Sequence, residues 1–280
     1  MVNTSTQVLQ SAAVSPLSFL PECDLVDPRQ ILWPLPPADF TLLNHQIHVW
    51  AARLDLLPVD LDELNSSLAP SERERAVRFR FDLHRNRFIA GRGLLRAVLG
   101  RYLKTNPARL EFDYSATGKP ALSGAAAGTR IGFNLAHSEN LAVLAVMLDQ
   151  DVGIDVERVR PIPDAEQLVA RFFSSRENAA FQALPEEQRE AAFFNLWTRK
   201  EAWLKATGEG IAHSLKRVEV SFLTGEPARL IKIEDSQEEA ARWRLIELNP
   251  ALGFAAALAC PAGEIEVNSW RGPGVFSEQT

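Results

Sequence analysis

Val152-Gly153-Ile154-Asp155-Val156-Glu157 lies just past the middle of a 280-residue chain, and its alternation decides the fold. Side chains of a strand point to opposite faces in turn. Val152, Ile154 and Val156 therefore share an apolar face, and Asp155 and Glu157 share the other. The Asp149-Gln150-Asp151 turn separates this strand from Leu141–Leu148, and a loop around His137–Asn140 separates that run from Ile131–Leu135. The spacing predicts an antiparallel meander of three strands.

Working outward, Pro161 and Pro163 close the meander and the chain turns helical. Ser174 and Glu177 have the spacing of a capping box, and a long helix is predicted from about Glu190 to Ala206, stopped by Gly208 and Gly210. The same order stands upstream. A strand, Gln46–Leu56, precedes a segment led by Ser71. A long helix, Arg87–Leu103, then places Leu95, Val98, Leu99, Tyr102 and Leu103 at helical spacing before Asn106-Pro107 ends it. Strand, Ser-led segment and long helix thus occur twice. This predicts an α+β fold of two similar halves related by a pseudo-two-fold. Each half would be an antiparallel sheet packed with a long helix, with the site in the cleft between them.

The expected boundaries are 44–151 for the N-terminal half and 152–270 for the C-terminal half, which also holds strand-like runs at Ser214–Leu223, Trp243–Glu247 and Phe254–Leu258. Residues 1–43, broken by six prolines from Pro16 to Pro37, read as an irregular extension, and 271–280 as a flexible tail.

Composition narrows the function. A hydrophobic fraction of 46% suffices for a sizeable core, and a net charge of −6 argues against a nucleic-acid binder. No Lys or Arg precedes Arg29, so a signal peptide's layout is missing, and no apolar run approaches the roughly 18 residues of a membrane span. Cys23 and Cys260 lack metal-ligand spacing. A cytoplasmic location and a monomer are the expectations.

Asp155 and Glu157 would have Cα atoms about 6.5–7 Å apart, close enough to lean towards one hard cation such as magnesium, or to form an ordinary solvated face. In Trp197-Thr198-Arg199-Lys200-Glu201-Ala202-Trp203-Leu204-Lys205, Lys200 falls within an apolar stripe and so needs an anionic partner or a path to solvent. Glu201 flanks the stripe with Lys205 one turn on, which suits either a metal ligand or a surface ion pair. Gly118-Lys119-Pro120 is a turn that projects a lysine. Phe133-Asn134-Leu135-Ala136-His137-Ser138 carries a histidine to a strand end, and arginines including Arg73, Arg75, Arg78, Arg85, Arg87 and Arg92 concentrate positive charge.

Taken in order, these four motifs, with Arg171-Phe172-Phe173-Ser174 and Glu177, resemble the motif series of the Sfp-type 4′-phosphopantetheinyl transferases over roughly residues 45–260. The resemblance implies transfer of the 4′-phosphopantetheine arm of coenzyme A to a serine of an apo acyl or peptidyl carrier protein, leaving adenosine 3′,5′-bisphosphate. It implies magnesium held by Asp155, Glu157 and Glu201, with Glu201 and Lys205 as catalytic residues. It places Arg75, Arg87, Lys119, Pro120, Asn134, His137 and Lys200 against coenzyme A. Two positions depart from the pattern: Ala136 replaces a frequent serine, and Glu72 stands where some members carry lysine. The competing readings are a magnesium-dependent nucleotide phosphohydrolase and an inactive module that binds carrier protein or coenzyme A.

Overall fold

A computed structural model describes residues 31–209 and 215–272. Most of the expected extension, Gly210, the start of the run at Ser214 and the tail beyond Gly272 lie outside the described residues.

Strand β1 (Gln46–Arg53) is followed by helices α1 (Pro58–Ser66), α2 (Pro70–Val77) and α3 (Asp82–Leu103). A small hairpin, β2 (Glu111–Tyr114) and β3 (Pro120–Ser123), leads to β4 (Ile131–Ser138), β5 (Leu141–Leu148) and β6 (Gly153–Arg158). Three helices come next: α4 (Ala165–Phe172), α5 (Ser175–Gln182) and α6 (Glu186–Thr207). The remainder is β7 (Val218–Val220), β8 (Leu230–Ile233), the short α7 (Gln237–Ala241), β9 (Trp243–Leu248), β10 (Phe254–Pro261) and β11 (Glu266–Arg271).

Two sheets dominate, ordered β11-β1-β5-β4 and β6-β10-β9. Strand alternation turns them into a four-layer stack. In β1 and β5, Trp50, Leu144 and Val146 pack under α3 with Leu95, Val98 and Leu99. Their neighbours Ile47, Val49, Val143 and Ala145 face the second sheet, meeting Val152, Ile154, Val156 and Leu258 in a shared inter-sheet core. The opposite face of β10, Ala257 and Ala259, packs under α6 with Leu196, Trp203 and Leu204. The order is helix, sheet, sheet, helix, with α3 and α6 outermost.

The α+β class and the two long helices match expectation; two details of pairing do not. The first sheet is mixed, because β11 runs parallel to β1 and opposes Gln46 with Glu266. The expected meander stops after β4 and β5: β6 pairs antiparallel with β10 in the other sheet. The reason is the packing of α6 on β6. A Cβ at Gly153 would run into the carbonyl oxygen of Ala202 and the backbone of Ala206. Glycine here lets α6 lie directly on β6, so β6 belongs to the α6 layer.

The capping box forms as expected. Ser174 Oγ accepts from the Glu177 amide at 3.2 Å, and a Glu177 carboxylate oxygen accepts from the Ser174 amide at 3.0 Å. Gly208, with φ of 76°, ends α6 in the left-handed conformation that glycine adopts without strain. At the other end of the molecule His48, Trp50, Tyr102 and Trp270 form an aromatic cluster. Trp50 donates to the Tyr102 hydroxyl at 3.0 Å, and His48 Nδ1 lies 2.8 Å from the same oxygen.

Candidate active site

Asp155 sits on the face of β6 turned to α6, and the close approach permitted by Gly153 brings Glu201 and Lys205, one helical turn apart, over it. Lys205 Nζ lies 2.5 Å from Asp155 Oδ1. The second oxygen, Asp155 Oδ2, and Glu201 Oε1 are both buried without a hydrogen-bond partner among the described residues. Orphaned carboxylate oxygens are costly in an interior, and two that face each other across β6 and α6 call for an explanation. Burial pushes the Asp155 carboxyl up to about 6 against the pull of Lys205. Burial and then repulsion from Asp155 push Glu201 up to about 7.

Glu157 lies two residues along the same strand. Its Oε2 accepts from Ser138 Oγ at 2.7 Å, and Ser138 Oγ accepts in turn from the Arg158 amide at 3.1 Å. Ser138 therefore orients Glu157; its place at the strand end next to His137 was the only sign of this in the sequence. Among the described residues no three His, Cys, Asp or Glu side chains are gathered at metal-binding distances. The donor chemistry nevertheless fits a hard divalent cation: two unpartnered carboxylate oxygens, with a third carboxylate on the same strand face.

The first sheet supplies the rim. Asn134 Oδ1 accepts from the Ile154 amide at 2.8 Å, so Asn134 ties β4 to β6 through a buried bond. His137 is exposed at its edge yet closely surrounded. Desolvation, then the charges of Lys205 and Arg87, hold its imidazole below the usual histidine value, while Glu157 pulls the other way. Lys119 reaches across from the β2–β3 hairpin to the Ala206 carbonyl at 3.1 Å, and Thr117 Oγ1 donates to the Gly208 carbonyl at 3.2 Å. Burial lowers the Lys119 ammonium pKa.

Between this hairpin and the end of α6 lies a cavity of about 560 Å³ with a mixed lining, in part Tyr114, Lys119, Pro120, Thr129 and Asp151 beside Leu122, Ile131 and Phe133. A second, more apolar cleft of about 380 Å³ opens beside Glu157, against Ile162, Leu168, Phe172, Phe193 and Trp197. Strand β6 and helix α6 run from the first to the second, so Asp155 and Glu201 fall between them.

Arg87 and Arg75 are near but differently engaged. Arg87 forks onto Asp55 at 2.7 and 2.9 Å; Arg75 is exposed and lies over the Phe88 ring, 5.2 Å from its centroid. Lys200 requires a correction. It is fully buried, and its ammonium bonds Glu177 at 2.7 Å, the Leu215 carbonyl at 2.7 Å and the Val218 carbonyl. All three donors are taken within the α6 core, leaving none for a phosphate. The anionic partner its apolar stripe demanded is Glu177. Glu72 is likewise structural: buried, it accepts from Arg92 at 2.7 Å and from Arg96 at 2.6 Å.

The profile described as "4′-phosphopantetheinyl transferase superfamily" matches residues 151–259, and that described as "4′-phosphopantetheinyl transferase, N-terminal" matches residues 57–148. The 4′-phosphopantetheinyl transferase HetI of Nostoc sp. is 44% identical over 230 residues, covering 82% of this chain and 94% of that protein. The chain belongs to the 4′-phosphopantetheinyl transferase family. A second member, 4′-phosphopantetheinyl transferase psf-1 of Bacillus pumilus, is 31% identical over 202 residues, covering 72% of this chain and 83% of that one. The two profile matches meet just before β6, so the transferase's carboxylate strand opens the second matched segment while its Lys119 hairpin and His137 lie in the first. Among the described residues the transferase has no helix long and apolar enough to cross a membrane.

Proposed function

We propose that this transferase moves the 4′-phosphopantetheine arm of coenzyme A onto a serine of an apo acyl or peptidyl carrier protein, releasing adenosine 3′,5′-bisphosphate. The observation that carries the reading is the pair of oxygens on Asp155 and Glu201 that lack a hydrogen-bond partner among the described residues, beside Lys205, between a cavity of mixed lining and a more apolar cleft. The cavity of mixed lining, with the Lys119 ammonium and Pro120 on its wall, suits the phosphates and base at the nucleotide end of coenzyme A. The apolar cleft beside Glu157 suits the pantetheine arm and the incoming carrier.

Magnesium would be held by Asp155, Glu157 and Glu201, and when bound it supplies charge neutralisation at a pyrophosphate. The transfer forms a bond from the carrier serine Oγ to the phosphorus of the pantetheine phosphate. It breaks the bond from that phosphorus to the oxygen shared with the nucleotide phosphate. The serine proton must leave as the bond forms. Glu201, whose Oε1 has no hydrogen-bond partner among the described residues, is the candidate to take it. The Lys205 ammonium counters charge developing on the departing phosphate oxygen. Lys119, Arg75, Arg87 and His137 supply donors to the phosphates of coenzyme A; a neutral His137 donates from one ring nitrogen only.

The reading takes the two sheet-and-helix units, α3 on one sheet and α6 on the other, as a pseudo-two-fold pair, sufficient as a monomer and at home in the cytoplasm. The test is intact-protein mass spectrometry of apo carriers incubated with enzyme, coenzyme A and magnesium. Gain of the arm by a carrier is expected. Cleavage of coenzyme A with no carrier gaining mass overturns it in favour of a phosphohydrolase.

A further inference from the structure

Arg92 sits on α3, 9% exposed, in a position that no catalytic argument requires. Its guanidinium forks. Nε bonds Glu72 Oε1 at 2.7 Å, and Nη2 lies 2.5 Å from the same oxygen and 2.8 Å from the Tyr114 hydroxyl. Its carbon also lies 5.0 Å from the Phe112 ring centroid and 5.8 Å from that of Tyr114. Arg96, one turn on, bonds Glu72 at 2.6 Å and the Pro107 and Leu110 carbonyls at 2.9 Å. Together these groups clamp the base of the β2–β3 hairpin to α3.

The tip of the hairpin is fixed independently. Ser115 Oγ accepts from the Lys119 amide at 3.0 Å, and Lys119 and Thr117 bond the Ala206 and Gly208 carbonyls. Tyr114, half exposed, stands between base and tip and lines the cavity between the hairpin and the end of α6. Arginine only donates, so the Tyr114 oxygen accepts from Arg92 and keeps its own proton. No described group takes that proton. A hydroxyl already accepting from a guanidinium is polarised into a stronger donor.

We propose that Tyr114 is a ligand-reading residue of the cavity between the β2–β3 hairpin and the end of α6 and that Arg92 is its positioning residue: the Tyr114 hydroxyl donates to an anionic or acceptor atom of a phosphorylated nucleoside bound there. The inference rests on the reading of this cavity as the nucleotide end of the coenzyme A site. It adds a donor absent from the motifs that carry the family resemblance, since Arg92 and Tyr114 both lie outside them.

The experiment measures adenosine 3′,5′-bisphosphate binding by calorimetry, with KM for coenzyme A and kcat from the mass-spectrometric assay. Tyr114→Phe removes one hydroxyl from a half-exposed ring and leaves the hairpin intact. Arg92→Lys keeps a cation for Glu72 but gives up the fork to Tyr114. Each is expected to weaken bisphosphate binding about tenfold, as loss of a charge-assisted hydrogen bond does, and to raise KM for coenzyme A in the same ratio with kcat within about twofold. The double variant is expected to lose no more than either single one, because the arginine acts through the hydroxyl. Bisphosphate binding by Tyr114→Phe within about twofold of the wild type overturns the proposal, as does a double variant whose losses multiply. A wild-type protein with no affinity for the bisphosphate fails differently: it removes the nucleotide reading of the cavity, and this inference with it.

Discussion

The Lys205 ammonium lies 2.5 Å from Asp155 Oδ1, with Asp155 almost wholly buried and Lys205 partly open to solvent. The lysine is therefore the counter-charge that lets a buried carboxylate ionise, and it approaches from the open side of the site. Lys205→Met should raise the Asp155 pKa further and withdraw the charge facing the leaving phosphate. Transfer is expected to fall about 10²–10³-fold, the usual cost of losing one such electrostatic group. The check is kcat at saturating coenzyme A and carrier, with circular dichroism to verify the fold.

Glu201→Gln separates chemistry from stability. Glu201 Oε1 has no hydrogen bond to lose among the described residues, and removing a buried charge relieves repulsion with Asp155. The variant should unfold at the same temperature as the wild type or higher, while transfer drops by roughly 10²–10⁴, the typical range for a lost general base. Near-normal transfer in excess magnesium would remove Glu201 from the role of base.

The raised carboxyls also set a magnesium response. Glu201, near 7 in the fold against an ordinary 4.5, binds its proton more tightly folded than unfolded. Without metal it therefore favours the fold at low pH, and that contribution fades as pH rises through about 7. A divalent cation binds the ionised form, so magnesium should raise the melting temperature more at pH 8 than at pH 6. Scanning fluorimetry with and without magnesium or a chelator reads this directly. Equal shifts at both pH values would contradict it.

His48 works in the opposite sense. Burial holds its imidazole near 4, below the ordinary 6.5 and against the pull of Glu266. In that interval the unfolded chain binds the extra proton and the folded one does not. Stability should fall as pH drops from about 6.5 to about 4, by an amount on the order of 2–3 kcal/mol for this site. Urea midpoints across that range, compared with His48→Gln, should show the slope flattened in the variant.

Lys200 is held by core acceptors and not by the site, which a substitution can separate. Lys200→Met strands the Glu177 carboxylate in the α6 core, which should cost about 3–5 kcal/mol. Activity per folded molecule should stay near the wild-type value, because no Lys200 donor faces the site. A raised KM for coenzyme A with unchanged stability would restore Lys200 to the binding site.

The layers were readable where a segment's own pattern carries its structure. Strand β5 has the bounds its unbroken apolar run implies, and the Ser174–Glu177 box was visible as a spacing. The facing of Asp155 followed from alternation alone. What depends on partners was not readable. Strand β11, Glu-Val-Asn-Ser-Trp-Arg, has no clean alternation because it is an edge strand with few fully buried side chains. The choice of β10 over β5 as the partner of β6 depends on how closely α6 can approach Gly153. The resemblance carried Lys200 towards the ligand, whereas the apolar stripe had already put it inside. Arg92 and Tyr114, 22 residues apart, meet only once the hairpin folds on α3.

The parallel pairing of β11 with β1 joins residues 220 positions apart, as in the contact between Gln46 and Glu266. During synthesis β1, β5 and β4 emerge long before β11 does. The outer edge of β1 must then wait with unpaired amides while the whole α6 unit is made. Such an edge is a template for pairing with other chains. The first sheet of this protein closes only when a strand from the far end of the chain arrives, so the outer edge of β1 is where pairing with another unfinished chain would compete with its completion.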